Sequence, residues 1–147
     1  MNNQEITKNY ELLIGIDAGK NTGFAVWNTY LKEFRTLETI LIHQALAKVI
    51  VLQNAGYKIK VYVEDARLRK WFGNAGREQL QGAGSIKRDC TIWEDFLTDL
   101  KIDFELVAPK NNKTKLTAQT FKSYTKYQGS TNVHNRDAGM LVFAKVS

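Results

Sequence analysis

Ile14-Gly15-Ile16-Asp17-Ala18-Gly19-Lys20-Asn21-Thr22-Gly23-Phe24-Ala25-Val26-Trp27 is an apolar run that ends in a carboxylate, a turn bracketed by glycines, and a second apolar run. The pattern predicts a β-hairpin with strands over 11–17 and 23–29. Its first strand delivers Asp17 at a C-terminal end, where a strand leaves its sheet and a polar group can face a site instead of the core. Taken alone, Asp17 reads at least as well as a turn former, because Asp beside Gly stabilises tight turns through its own backbone. Partners elsewhere in the chain decide between the two.

Working outward, 34–42 reads as a third strand, reached through the turn residues Asn28-Thr29, and completes an antiparallel meander. From His43 to Ala55, Leu46, Ala47, Ile50, Val51 and Ala55 recur at helical spacing and Gly56 ends the helix. His43 reads as a polar residue at the helix start, not as a ligand. Ile59-Lys60-Val61-Tyr62-Val63-Glu64-Asp65 alternates and again ends in acid. A strand-helix-strand crossover makes this strand parallel to the first and brings Glu64 to the edge that holds Asp17.

Ala66 to Gly76 reads as a loop in which Trp71 and Phe72 stand among Arg67, Arg69 and Lys70. Such a segment suits stacking on unpaired bases with cations on phosphates; the competing reading folds the two rings onto the core. A long helix is expected over 77–100, with a seam of Ala83, Ile86, Cys90, Trp93, Leu97 and Leu100. One seam buries against the sheet, and Gly82 and Gly84 permit close approach of a second copy, so a homodimer through this helix is expected. Residues 104–107 form a fifth strand stopped by Pro109, 116–127 a helix, and His134 to Ala144 a final helix with His134 and Asp137 on one face. Residues 1–10 read as a loose arm.

The chain of 147 residues fits a single domain, 1–147, able to bury a core without covalent staples. Its lone cysteine, Cys90, excludes a disulfide framework and a cysteine-ligated zinc site within one chain, and suits a reducing cytosol. The polar start Met1-Asn2-Asn3-Gln4-Glu5 lacks the order of a signal peptide, and no apolar run approaches the roughly 18 residues of a membrane span. A cytoplasmic location without membrane partners is the expectation. The net charge of +6 favours a polyanionic partner. More telling is its placement: no Asp or Glu occurs between Glu105 and Asp137, an interval that carries Lys110, Lys113, Lys115, Lys122 and Lys126 with Tyr124 and Tyr127. The tract reads as a nucleic-acid surface, against the alternative of a solvated helix face.

Asp17, Glu64, and His134 with Asp137 thus head for one place. Gathered carboxylates repel one another, and Mg²⁺, which prefers oxygen ligands and keeps waters, is the natural counter-charge. Two such ions about 4 Å apart activate a water and stabilise the leaving oxygen of a phosphoryl displacement.

The order βββαβαβα with these acids resembles the ribonuclease H-like fold: a five-stranded mixed sheet, three antiparallel strands then parallel ones, flanked by helices. Gly15-Ile16-Asp17-Ala18-Gly19 with Thr22-Gly23-Phe24-Ala25, then Val63-Glu64, then His134-Asn135-Arg136-Asp137-Ala138, resemble its RuvC-type Holliday junction resolvase branch, in particular small phage or mobile-element members, over 12–145. The resemblance implies an endonuclease that nicks four-way DNA junctions as a homodimer, with Asp17, Glu64, His134 and Asp137 as metal ligands. It implies a basic residue at the scissile phosphate, Lys113 or Lys115 with Lys115 preferred, and places Trp71 and Phe72 near the junction core. Two residues depart from the pattern. Ala18 stands where cellular relatives commonly have proline, and His134 where many have an acid, which moves metal preference towards Mn²⁺.

Three rivals remain at this stage. A ribonuclease H-like enzyme acting on RNA:DNA hybrid or structured RNA shares the acids. A sugar kinase or actin-like ATPase shares Asp17-x-Gly19-x-x-Thr22 but needs two such lobes. A non-catalytic nucleic-acid-binding module would have to keep the carboxylates together without a cation, which is costly.

Overall fold

A computed structural model describes residues 2–68 and 77–147, without the side chains of 77–83. The opening hairpin forms as the sequence predicts: β1 (Leu12–Asp17) pairs antiparallel with β2 (Asn21–Asn28), and β2 with β3 (Glu33–Leu41). Helix α2 (Ile42–Asn54) crosses over to β4 (Ile59–Glu64), which lies parallel to β1, and β5 (Asp103–Val107) lies parallel to β4. The sheet order is β3-β2-β1-β4-β5, so β1 is central and its C-terminal end lies beside that of β4.

Each sheet face is covered by its own layer, because alternate strand residues point to opposite sides. On one face Leu12, Ile14, Ile16, Val61 and Val63 pack with Ala45 and Val49 of α2 and with Trp93 and Leu97 of α3 (Arg77–Asp99). On the other, Leu13, Ala25, Tyr62 and Leu37 meet Ala138, Leu141 and Val142 of α5 (Val133–Val146) and Phe121 of α4 (Ala118–Thr125). Full burial of each such aliphatic side chain stabilises the fold by roughly 2 kcal/mol before chain entropy is counted.

Two glycines set how closely α5 lies on the sheet. A Cβ at Gly15 would strike the Ala138 carbonyl oxygen, and one at Gly23 would strike the His134 carbonyl oxygen. Side chains there would hold the helix off by the thickness of a methyl group. Their absence lets the first turn of α5 reach the end of β1.

Three expectations need correction. Residues 1–10 are not a loose arm: α1 (Asn3–Asn9) starts in a capping box between Asn2 and Glu5, buries Ile6, and is tied to the C-terminus by Asn3 Nδ2 donating to the Ser147 carbonyl at 3.0 Å. On α2 the buried face is Ala45 and Val49, while Ile50 and Val51 are exposed. The expected spacing was displaced because that helix carries apolar residues on more than one face, and periodicity alone does not choose between them. Along α3 the seam holds at Cys90, Trp93 and Leu97 but fails at Ile86, which is exposed. Arg69, Lys70, Trp71 and Phe72 lie outside the described residues. No described helix is long and apolar enough to cross a membrane.

Candidate active site

Asp17 and Glu64 end two neighbouring parallel strands and stand opposite each other in the register. On the other side Gly23 of β2 is paired with Asp17. The hairpin turn between them is closed by the Thr22 hydroxyl, which donates to the Gly19 carbonyl at 2.7 Å. Over this edge comes the first turn of α5, started by a reciprocal cap in which Asn132 Oδ1 accepts from the Asn135 N–H at 3.0 Å and Asn135 Oδ1 from the Asn132 N–H at 2.9 Å. The Thr39 hydroxyl of β3 donates to Asn132 Oδ1 at 2.7 Å, which fixes the cap to the sheet.

That cap presents His134 and Asp137. His134 Nδ1 stands 3.2 Å from Asp17 Oδ2. In the tautomer that donates here, Nε2 keeps its lone pair on a ring that is more than half exposed. Asp137 Oδ1 accepts the backbone N–H of Lys115 at 2.8 Å, and Lys115 takes a left-handed φ of 58° to make that contact. Such a backbone costs a non-glycine residue on the order of 1 kcal/mol, which the charged acceptor offsets. Asn112 Nδ2 donates to Glu64 Oε2 at 2.8 Å and to the Asp137 carbonyl at 3.1 Å.

The electrostatics follow from the crowding. Burial pushes the Asp17 carboxyl up to about 7; the Glu64 charge opposite it adds to the rise, and the His134 hydrogen bond only partly offsets it. Asp137 is also raised, mainly by burial, against the lowering pull of the Lys115 N–H. A carboxyl driven upward by its neighbour's charge is the group that gains most from a nearby cation.

Among the described residues, no three His, Cys, Asp or Glu side chains are gathered closely enough to hold a metal ion between them. The expected ligands therefore share one sheet edge without forming a closed cage. Their chemistry still fits a hard divalent cation, since three carboxylates and an imidazole face a common edge and the Asp17 charge is penalised there.

The remaining candidates fall into two groups. Lys110, Lys113, Lys115 and Lys122 are exposed, and Lys113 Nζ lies 3.1 Å from the Tyr124 hydroxyl and 4.7 Å from the ring centroid. Arg67 is half-buried and engaged: it meets Asp65 Oδ2 at 2.8 Å, Glu94 Oε1 at 3.0 Å and the Thr91 hydroxyl at 3.1 Å. Asp65 is buried, and the guanidinium beside it holds its carboxyl below the usual range despite that burial.

Sequence reasoning assigned nothing to Asn112 and gave no role to Arg136. The latter's charge helps to lower the Asp137 carboxyl, and its side chain donates through Nε to the Leu116 carbonyl at 2.8 Å and through Nη1 to the Thr131 hydroxyl at 2.9 Å. It thereby pins the basic tract to the base of α5. Only its position beside Asp137 hinted at such a task.

A central strand ending in an acid, a parallel neighbour ending in another, a meander on one side and a closing helix over the edge define the ribonuclease H-like fold in its RuvC-like form. T. thermophilus RuvC, solved in complex with a Holliday junction substrate, is similar in structure, with a TM-score of 0.59 at 18% identity over 93% of this chain and 92% of that one. No family model matches the sequence, and no curated protein matches it.

Proposed function

We propose that the chain is a metal-dependent endonuclease that hydrolyses phosphodiester bonds in four-way DNA junctions. The observation that carries this reading is the register that sets Asp17 against Glu64 under the first turn of α5, with the Asp17 carboxyl raised to about 7 by burial and by its neighbour. Asp17, Glu64, His134 and Asp137 would hold Mg²⁺, or Mn²⁺ in its place. When bound at two positions, such ions activate water and neutralise the leaving oxygen. The chain's own contribution is placement. Strand register fixes Asp17 and Glu64, the Nδ1 contact orients His134, and the Lys115 N–H orients Asp137.

Lys115 is assigned to the scissile phosphate in preference to Lys113, because the Lys113 ammonium is already spent on Tyr124. Lys110 and Lys122 would meet phosphates of the junction arms, while Arg69, Lys70, Trp71 and Phe72 would work at its centre. Arg67, tied to Asp65 and Glu94, would brace the base of that segment. A homodimer through α3 would present two such sites, one to each strand, and the setting we infer is a phage or mobile-element enzyme acting in the cytoplasm. Support for the substrate class comes from the likeness to a RuvC that holds a Holliday junction.

The test is cleavage of a synthetic four-way junction beside matched linear duplex, RNA:DNA hybrid and structured RNA, with Mg²⁺, Mn²⁺ or EDTA. Junction cleavage that needs a divalent ion and disappears in Asp17→Asn and Glu64→Gln is expected. Activity surviving either substitution refutes the metal site, and preferential cutting of hybrid or RNA moves the enzyme to another substrate.

A further inference from the structure

Asn112 touches both the end of β4 and the start of α5 through a single nitrogen, which donates to Glu64 Oε2 at 2.8 Å and to the Asp137 carbonyl at 3.1 Å. Rotating the amide by half a turn would set its oxygen against a carboxylate and a carbonyl, so the two acceptors fix which end points at them. The residue is 9% exposed, and its Oδ1 has no protein partner. A buried amide with half its capacity unmet is costly, and an apolar side chain of the same size would avoid that cost.

We propose that Asn112 is a positioning residue for the Glu64 carboxylate, locking its orientation relative to α5, and that Asn112 Oδ1 accepts a hydrogen bond from a water of the same site. The inference rests on the metal-dependent reading above. It goes beyond that reading by placing a neutral amide, supplied by the basic tract, in control of an acid supplied by the sheet. Pro109, which opens the short 3₁₀ turn Pro109–Asn111, stiffens the approach to Asn112, whose N–H returns to the Pro109 carbonyl at 3.1 Å. The amide is therefore held from its own backbone as well as by its acceptors.

The test is Mn²⁺ affinity, titrated into the millimolar range by calorimetry and electron paramagnetic resonance, for wild type, Asn112→Leu, Glu64→Gln and the double variant. Asn112→Leu keeps the volume and removes the donor, and loss of a group that orients a ligand weakens metal binding about tenfold. That loss is expected in the wild-type background and not in Glu64→Gln, where no carboxylate remains to orient. Equal affinity of Asn112→Leu and wild type, or an equal loss in both backgrounds, overturns the role of Asn112 and leaves the nuclease reading standing. A wild-type protein that binds no Mn²⁺ overturns both. Should Asn112→Leu fail to fold, Asn112→Ala carried through the same cycle tests the same coupling, with the same two outcomes.

Discussion

Replacing Asp17 with Asn should stabilise the metal-free protein, by an amount that depends on pH. In the folded chain the Asp17 carboxyl is raised from 3.8 to about 7 by burial and by the Glu64 charge. A raised acid favours the fold while it is protonated. Its contribution is complete below about pH 4 and is lost progressively as the pH climbs to about 7. About three pH units at roughly 1.4 kcal/mol each set an upper bound near 4 kcal/mol. Side-chain relaxation and the water that reaches a group 20% exposed reduce this to on the order of 2 kcal/mol. Asn keeps the shape and the contact to His134 but never ionises, so the variant and wild type should be equally stable at pH 4. At pH 8 in EDTA the variant should melt about 6 °C higher, at about 3 °C per kcal/mol for a chain of this size. Millimolar Mg²⁺ should raise the wild type and not the variant. The measurement is thermal and urea unfolding of both proteins from pH 4 to 8. A variant no more stable than wild type at pH 8, or a difference flat across the range, would refute the claim that Asp17 is held in a repulsive, poorly solvated place.

Other perturbations probe the surroundings. Gly23→Ala should destabilise the fold by about 2–3 kcal/mol and impair metal binding, because the new methyl meets the His134 carbonyl and lifts the first turn of α5; unaltered unfolding would show that the close approach is not required. Arg67→Ala should cost on the order of 2 kcal/mol above pH 4 by leaving the buried Asp65 charge without a counter-ion, held only by the backbone N–H of residue 67 and by Cys90, and the deficit should shrink in acid, since a depressed carboxyl contributes stability only where it is ionised; a deficit constant with pH would contradict the assignment. Lys115→Ala should lower the single-turnover cleavage rate on junction DNA far more than Lys113→Ala, with similar junction binding in both, and the reverse order would exchange their roles.

Much of the fold was legible because the elements that build it carry strong local signals. The hairpin, the two strands ending in acid and the crossover between them follow from alternation and turn residues, and the register of Asp17 with Glu64 then follows from parallel pairing. Less legible was anything decided by which of two apolar faces packs. Helix α2 buries Ala45 and Val49 and exposes Ile50 and Val51, and since both sets are apolar their spacing alone does not choose the face. Helix α1 was missed since one buried isoleucine in a polar segment carries no period. At the site, strand and helix context was enough to bring Asp17, Glu64, His134 and Asp137 to one sheet edge. Asn112 and Arg136 were not legible, because their roles depend on contacts across 25 and 20 residues of chain to groups that local pattern does not reveal.

The acids at the sheet edge and the groups that aim them have different physical origins. Asp17 and Glu64 are placed by backbone register, and α5 is brought over them by the bare Cα positions of Gly15 and Gly23, so this half of the site is as rigid as the sheet. The other half comes from the irregular tract between β5 and α4, which enters through the Asn112 amide and the strained Lys115 backbone and is fastened to α5 by Arg136. That tract also bears the exposed lysines. A polyanion that pulls on Lys110, Lys113 or Lys115 therefore pulls on the same short run of chain that orients Glu64 and Asp137. On the proposed reading, DNA binding through those lysines would couple to carboxylate geometry without a distant relay, because the residues concerned are separated by single positions of one loop.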